Sequence, residues 1–199
     1  MIAIVDYGAG NIFSVKNALD YLGLESKLTD DAAELEAADK IILPGVGAFP
    51  AAMKMLKAKG LDKVLCEQAQ KKPLLGICLG MQMLLSKSYE FEECEGLNLI
   101  EGEVDLIDAP DLIIPHMGWN ELEIQNDCPL LKNLGDAPFV YFVHSYAAKC
   151  ADKDLAAWCE YGGRVPAMVW DGKNVYGAQF HPEKSGEVGL QILRNFGEL

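Results

Sequence analysis

The chain has 199 residues, enough for one α/β domain with a full core. Half of the residues are hydrophobic and 24% are charged, with no run of eighteen apolar residues, so a soluble globule without a membrane span is expected. Seventeen Lys+Arg against 30 Asp+Glu give a formal charge of −13, and a surface this acidic repels phosphate backbones, which argues against general nucleic-acid binding.

The opening Met1–Asp6 lacks a basic region and a cleavage site, so no signal peptide is read and a cytoplasmic protein is expected. Met1–Val5 reads as a buried strand running into the Gly-rich turn Asp6-Tyr-Gly-Ala-Gly-Asn11. Val15, Leu19 and Leu22 then fall at helical spacing, and Gly23 closes the helix. This is the first unit of a doubly wound fold. Gly8-x-Gly10 is no dinucleotide fingerprint, because the third glycine is missing and position 13 is Phe. Glu25–Leu28 is a second strand. Asp39–Leu43 is a third, which Pro44-Gly-Val-Gly47 is expected to stop. That loop reads either as a tight turn or as backbone N–H groups left free for an anion. Ala51–Lys59 and Leu61–Lys71 read as helices broken at Gly60.

Pro73-Leu-Leu-Gly-Ile-Cys-Leu-Gly-Met-Gln82 is the most informative stretch. Leu74, Leu75 and Ile77 form a buried strand, and Met81–Leu85 are helix formers. Cys78 stands at the apex of strand, sharp turn and helix, between Gly76 and Gly80. This is the pattern of a nucleophile elbow with sulfur in place of the serine oxygen. A helix N-terminus favours an anionic nucleophile, and the next backbone N–H, from Leu79, points to where an oxyanion would form. Taken alone, Gly-x-Cys-x-Gly is equally a buried cysteine between two glycines.

The regular alternation stops after this helix. Residues 86–138 carry acidic clusters, prolines and short alternating pieces, Leu97–Glu101 and Asn120–Ile124, which predict antiparallel hairpins elaborating the same domain. Phe139–His144 is the next strong strand, followed by Ser145 and Tyr146. Ala167–Trp170 and Val175–Gln179 flank Asp171-Gly172, a hairpin turn signal. An amphipathic helix closes the chain, with Val188, Ile192 and Phe196 on one stripe and Leu190 and Leu193 beside it. No linker or internal repeat interrupts residues 1–199, so a single α/β domain is expected. It has a doubly wound, mostly parallel sheet with helices on both faces and an antiparallel elaboration.

Six cysteines (66, 78, 94, 128, 150, 159) form no C-x-x-C pair, and with three histidines no zinc spacing appears, so no metal or cofactor is expected. The remaining cysteines are expected reduced and mostly buried. Any base must come from the three histidines. His181 lies just past a strand end, where open α/β sheets place ligands. Pro182 favours an extended predecessor, and in extended backbone His181 and Glu183 project together. A carboxylate on one ring nitrogen fixes the tautomer and frees the other nitrogen for a proton. His-Pro-Glu is otherwise a turn with a surface acid, and His116 and His144 read as satisfied structural residues.

Six stretches together resemble the class I (triad) glutamine amidotransferases over nearly the full length. They are Asp6–Asn11, Pro44-Gly-Val-Gly-Ala-Phe49, Gly76-Ile-Cys-Leu-Gly-Met-Gln82, Pro115-His-Met-Gly-Trp-Asn120, Tyr141-Phe-Val-His-Ser-Tyr146 and Phe180-His-Pro-Glu-Lys-Ser185. The first and fourth are most similar to the branch of glutaminase subunits that serve a (β/α)8-barrel cyclase in histidine biosynthesis. The resemblance implies that Cys78 attacks the side-chain amide of glutamine, that His181 moves the proton, and that Glu183 holds His181. It implies an oxyanion site from the Leu79 N–H and an N–H of the Val46–Gly47 region, on a loop that can need a peptide flip. Gln82, Glu90 and Ser145 match positions that hold glutamine. Asn11, Trp119, Tyr141 and Lys184 match positions facing the cyclase, to which ammonia passes through the protein interior. By themselves, Trp119 reads equally as core packing and Lys184 as a surface charge. Three other readings stay open from sequence: an amidotransferase feeding a different synthase, such as one for surface sugars; a silent regulatory module; and a cysteine hydrolase of another amide or ester.

Overall fold

The computed structural model describes residues 1–199. Its first half follows a βα rhythm: β1 (Ile2–Val5), α1 (Ile12–Tyr21), β2 (Ser26–Thr29), α2 (Ala32–Ala37), β3 (Lys40–Gly45), α3 (Phe49–Ala58), α4 (Leu61–Ala69), β4 (Leu74–Cys78) and α5 (Leu79–Met83). Short strands fill the middle: β5 (Leu85–Ser88), β6 (Cys94–Glu95), β7 (Ile100–Leu106), β8 (His116–Glu121), β9 (Glu123–Ile124), β10 (Phe139–His144) and β11 (Tyr146–Cys150). The chain ends with β12 (Leu155–Glu160), β13 (Arg164–Trp170), β14 (Val175–Ala178) and α6 (Gly186–Glu198). No helix is long and apolar enough to cross a membrane.

The main sheet has eight strands in the order β2-β1-β3-β4-β14-β13-β12-β9. From β2 to β14 the pairings are parallel, and from β14 to β9 antiparallel. The strand sequences explain why both faces are covered. Along β1, Ile2 and Ile4 join one core cluster while Ala3 and Val5 join the other; along β3, Ile42 faces opposite to Ile41 and Leu43. Strands apolar at every position must be buried on both sides. Val15 and Leu19 of α1 and Ile192, Leu193 and Phe196 of α6 cover one face. Leu35 of α2, Phe49, Met53 and Leu56 of α3, and Leu61 and Leu65 of α4 cover the other.

Several sequence expectations need correction. Pro44 does not stop β3, which runs through Gly45. Pairing of β3 with β1 has ended by Ile42, so Pro44 lies where the strand has one partner, and a missing N–H is tolerated there. Hydrophobic spacing does not announce helix α2; its sign is Asp31, whose carboxylate accepts from the Ala33 N–H at 2.7 Å as an N-cap. The elbow helix is shorter than its propensities predict, because Leu85 is drawn into β5, which pairs with β7. Residues 86–138 do contain one local antiparallel pair, β5 with β6. Otherwise they pair at long range: β5 with β7 is parallel, β8 joins β10 in a two-stranded ribbon, and β9 edges the main sheet.

Candidate active site

Cys78 is the last residue of β4 and adopts φ 55°, ψ −112°, a backbone conformation that a side chain rarely takes. The flanking glycines make this possible by close approach. A Cβ on Gly80 would lie 1.8 Å from the Leu43 carbonyl oxygen, and one on Gly76 would lie 2.6 Å from the Gly80 oxygen. The helix can therefore start directly against β3 and β4, which leaves the sulfur at the carboxyl edge of the sheet.

Strand β14 brings the second half of the site. It pairs in parallel with β4, Ala178 beside Ile77, so the chain leaves the sheet next to Cys78. The segment that follows is clamped to β10. The His181 N–H donates to the Tyr141 carbonyl at 3.0 Å, and the Ser185 hydroxyl accepts from the Tyr141 N–H at 3.0 Å and donates to the His181 carbonyl at 2.6 Å. His181 itself is extended, but Pro182–Lys184 form a 3-10 turn rather than the extended run expected from sequence. The turn still delivers the carboxylate: His181 Nδ1 stands 2.8 Å from Glu183 Oε1. Both side chains are almost fully buried, and Glu183 Oε2 is buried without a partner. The Nδ1 bond leaves His181 Nε2 as the nitrogen available for chemistry. Burial pulls the His181 pKa down, but hydrogen bonding and charge from Cys78 and Glu183 outweigh it and raise the value to about 9.

Cys78 and His181 line one cavity of about 680 Å³. Val46, Gly47, Leu79, Gln82, Glu90 and Ser145 line it too, so every residue assigned from sequence to the oxyanion or to the substrate reaches the same space. Leu79 is the first residue of α5, whose N–H has no intrahelical acceptor. Gly47 has φ +99°, which glycine tolerates at no cost in a loop next to the nucleophile. Glu90 has a task the sequence did not reveal: its Oε2 accepts from the Phe49 N–H at 2.6 Å and ties the start of α3 to the cavity wall.

Three of the four residues expected to face a partner, Trp119, Tyr141 and Lys184, lie on or beside the β8–β10 ribbon. Trp119 and Tyr141 are cross-strand neighbours with ring centroids 6.2 Å apart, and Trp119 is 55% exposed rather than packed in a core. Met117 and Phe139 are also exposed there. Lys184 is exposed and sits at the cavity wall, while Asn11 is half-buried before α1, apart from the ribbon.

His116 and His144 form a buried chain whose polarity is fixed by a carbonyl. His144 Nδ1 must donate to the Tyr146 oxygen at 2.8 Å, so His144 Nε2 accepts from His116 Nδ1 at 3.1 Å. Burial lowers both pKa values to about 4. Sequence reasoning missed Gln179 and Tyr7. Gln179 lies two residues before His181 at a strand end, the same spacing that ties His181 to Glu183, and its Nε2 is 3.9 Å from Cys78 Sγ. Tyr7 is buried with its hydroxyl unpartnered, and burial, then the Cys78 charge, raise its pKa.

The chain matches the family model Glutamine amidotransferase class-I over residues 3–198. It is 52% identical to the imidazole glycerol phosphate synthase subunit HisH of Listeria monocytogenes serotype 4a (strain HCC23), covering 100% of this chain and 96% of the relative. It is 53% identical to the subunit of the same name from Bacillus cereus (strain ATCC 14579), covering 98% and 93%. Among solved structures it resembles a glutamine amidotransferase with a TM-score of 0.77 at 21% identity, covering 98% of each chain. It also resembles PurLQS from Thermotoga maritima with a TM-score of 0.72 at 22% identity, covering 98% and 96%; these two likenesses speak to the fold.

Proposed function

The chain belongs to the class-I glutamine amidotransferase family, and from that membership we propose a glutaminase subunit of an imidazole glycerol phosphate synthase, acting in histidine biosynthesis. The observation that carries the mechanism is His181, held from behind by the buried Glu183, lining the same cavity as the Cys78 sulfur. Residues 1–199 act as one amidotransferase domain in the cytoplasm.

His181 Nε2 takes the Cys78 thiol proton, and the sulfur attacks the side-chain carbonyl carbon of glutamine. The oxyanion rests on the Leu79 N–H and on an N–H of Val46 or Gly47, each of which lines the cavity. The protonated His181 Nε2 gives its proton to the departing nitrogen, and ammonia leaves a γ-glutamyl thioester. Water then loses a proton to His181 and attacks the thioester; the products are glutamate and the restored sulfur. Glu183 stabilises the imidazolium throughout. Gln82, Glu90 and Ser145 hold the amino-acid end of the substrate. No cofactor takes part.

Ammonia released into water at neutral pH is protonated and loses its nucleophilicity. The subunit therefore forms a heterodimer with a (β/α)8-barrel cyclase, which receives the ammonia through an internal channel. The cyclase yields imidazole glycerol phosphate and aminoimidazole carboxamide ribotide. The ribbon face of Trp119 and Tyr141, flanked by Lys184, is the main docking surface, with Asn11 as a separate contact, and the Pro44–Gly47 loop is the switch that docking sets. The test is glutamine hydrolysis with and without the cyclase and its nucleotide ligand. Stimulated hydrolysis in the parent and none in Cys78→Ala is the expected result; full ammonia release by Cys78→Ala overturns the mechanism.

A further inference from the structure

Gln179 has no part in the reaction just described, yet it touches the nucleophile. It is fully buried, and its Nε2 lies 3.9 Å from Cys78 Sγ. Its Oε1 accepts from Gln82 Nε2 at 3.0 Å, and that same Gln82 nitrogen donates to the Tyr146 carbonyl at 3.0 Å. The direction of this chain is forced. A backbone carbonyl only accepts, so the Gln82 atom at Tyr146 is the NH2 group. An amide NH2 only donates, so the Gln179 atom it meets is the carbonyl oxygen. The Gln179 NH2 is thereby turned to the sulfur. The Tyr146 oxygen also accepts from His144 Nδ1 at 2.8 Å, so both of its lone pairs are used and the anchor has no alternative partner to take.

We infer that Gln179 is a positioning residue for the nucleophile, its side-chain N–H, aimed by Gln82 and the Tyr146 carbonyl, fixing the Cys78 sulfur and stabilising it as an anion. The inference rests on Cys78 being the nucleophile. A buried N–H binds an anion more strongly than a neutral acceptor, so the bond favours the attacking thiolate over the neutral thiol. Gln179 also joins the nucleophile to Gln82 in the substrate wall through two consecutive hydrogen bonds. The other titratable groups around the sulfur are His181 and Lys184 after β14, Tyr7 after β1, His144 and Tyr146 around the end of β10, and Glu90. A change at Gln179 leaves all of them in place.

Gln179→Met keeps the chain length and removes the donor. In the full-length protein, Cys78 alkylation by iodoacetamide, followed on its own peptide by mass spectrometry, is expected to slow about tenfold at neutral pH. Its pH profile is expected to move to higher pH. Glutaminase kcat in the complex falls by a similar factor, with KM changed by no more than about twofold. An unmoved alkylation profile in a variant that melts with the parent overturns the inference. Should Gln179→Met not fold, the parent decides: the Gln179 side-chain amide NMR signal must move in step with the ultraviolet absorbance of the Cys78 thiolate and lose that step in Cys78→Ser. A Gln179 signal indifferent to Cys78 overturns the inference. Neither readout needs glutamine or cyclase, so its failure is separate from failure of the glutaminase reading, which parent activity reports.

Discussion

Glu183 holds His181 through a single 2.8 Å bond to Nδ1, with its side chain 1% exposed and its second oxygen unpartnered. A carboxylate buried this way is retained for the charge it presents to the ring, since half of its bonding capacity is unused. Glu183→Gln keeps the shape and removes that charge. The expected loss in kcat is roughly 10²- to 10⁴-fold, with little change in KM, measured as glutamine hydrolysis in the complex.

The Cys78 and Glu183 partners of His181 together set a stability trend above neutrality. His181 has a folded pKa of about 9 against an ordinary value near 6.5, so the folded state holds more protons between them. Its contribution is complete below about pH 6.5 and is lost as pH rises through about 9. Denaturant unfolding of the isolated chain should show stability declining across that window, and Glu183→Gln should flatten the decline.

His116 and His144 act in the opposite direction. Their folded pKa values of about 4 lie below the ordinary value, so the unfolded chain binds more protons between about pH 4 and 6.5. Their contribution is complete above about pH 6.5 and is lost as pH falls through that range. The unfolding midpoint should drop on acidification before most carboxylates titrate, and replacing His116 by Gln should shallow the drop.

Gly80→Ala tests the elbow. The added methyl meets a backbone oxygen at 1.8 Å, which no side-chain rotation relieves, so a loss of at least about 3 kcal/mol is expected. Gly47→Ala meets nothing within 4 Å and carries only the strain of its φ +99°, roughly 1 kcal/mol. Thermal melting of the two variants should therefore separate widely, while Gly47→Ala should still lower glutaminase turnover by stiffening the loop.

Trp119→Ala addresses the ribbon. A side chain 55% exposed adds little to the isolated fold, so its melting temperature should stay with the parent. Affinity for the cyclase should fall about tenfold or more, as an aromatic anchor implies. Equal affinity of parent and variant in a titration would move the docking surface elsewhere.

The elbow and the pairing of His181 with Glu183 were legible in the sequence because each is local, although the backbone between the pair turns where an extended run was expected. The glycines on either side of Cys78, and the lone proline between His181 and Glu183, set their geometry within a few bonds. The doubly wound half was legible for a similar reason: strands apolar at every position and helices with one apolar stripe allow few arrangements. What tertiary structure alone decided is which distant pieces meet. Parallel pairing of β14 with β4 puts Gln179 beside Cys78 across a separation of 101 residues; Gln82 orients it across 97 and is itself anchored on Tyr146 across 64. Strands β7, β8 and β9 take partners beyond residue 138, in β11, β10 and β12, and Glu90 spends an oxygen on the start of α3. No period or spacing encodes such contacts, because a hydrogen bond between side chains far apart in sequence depends on strand order and register, which the whole core sets together.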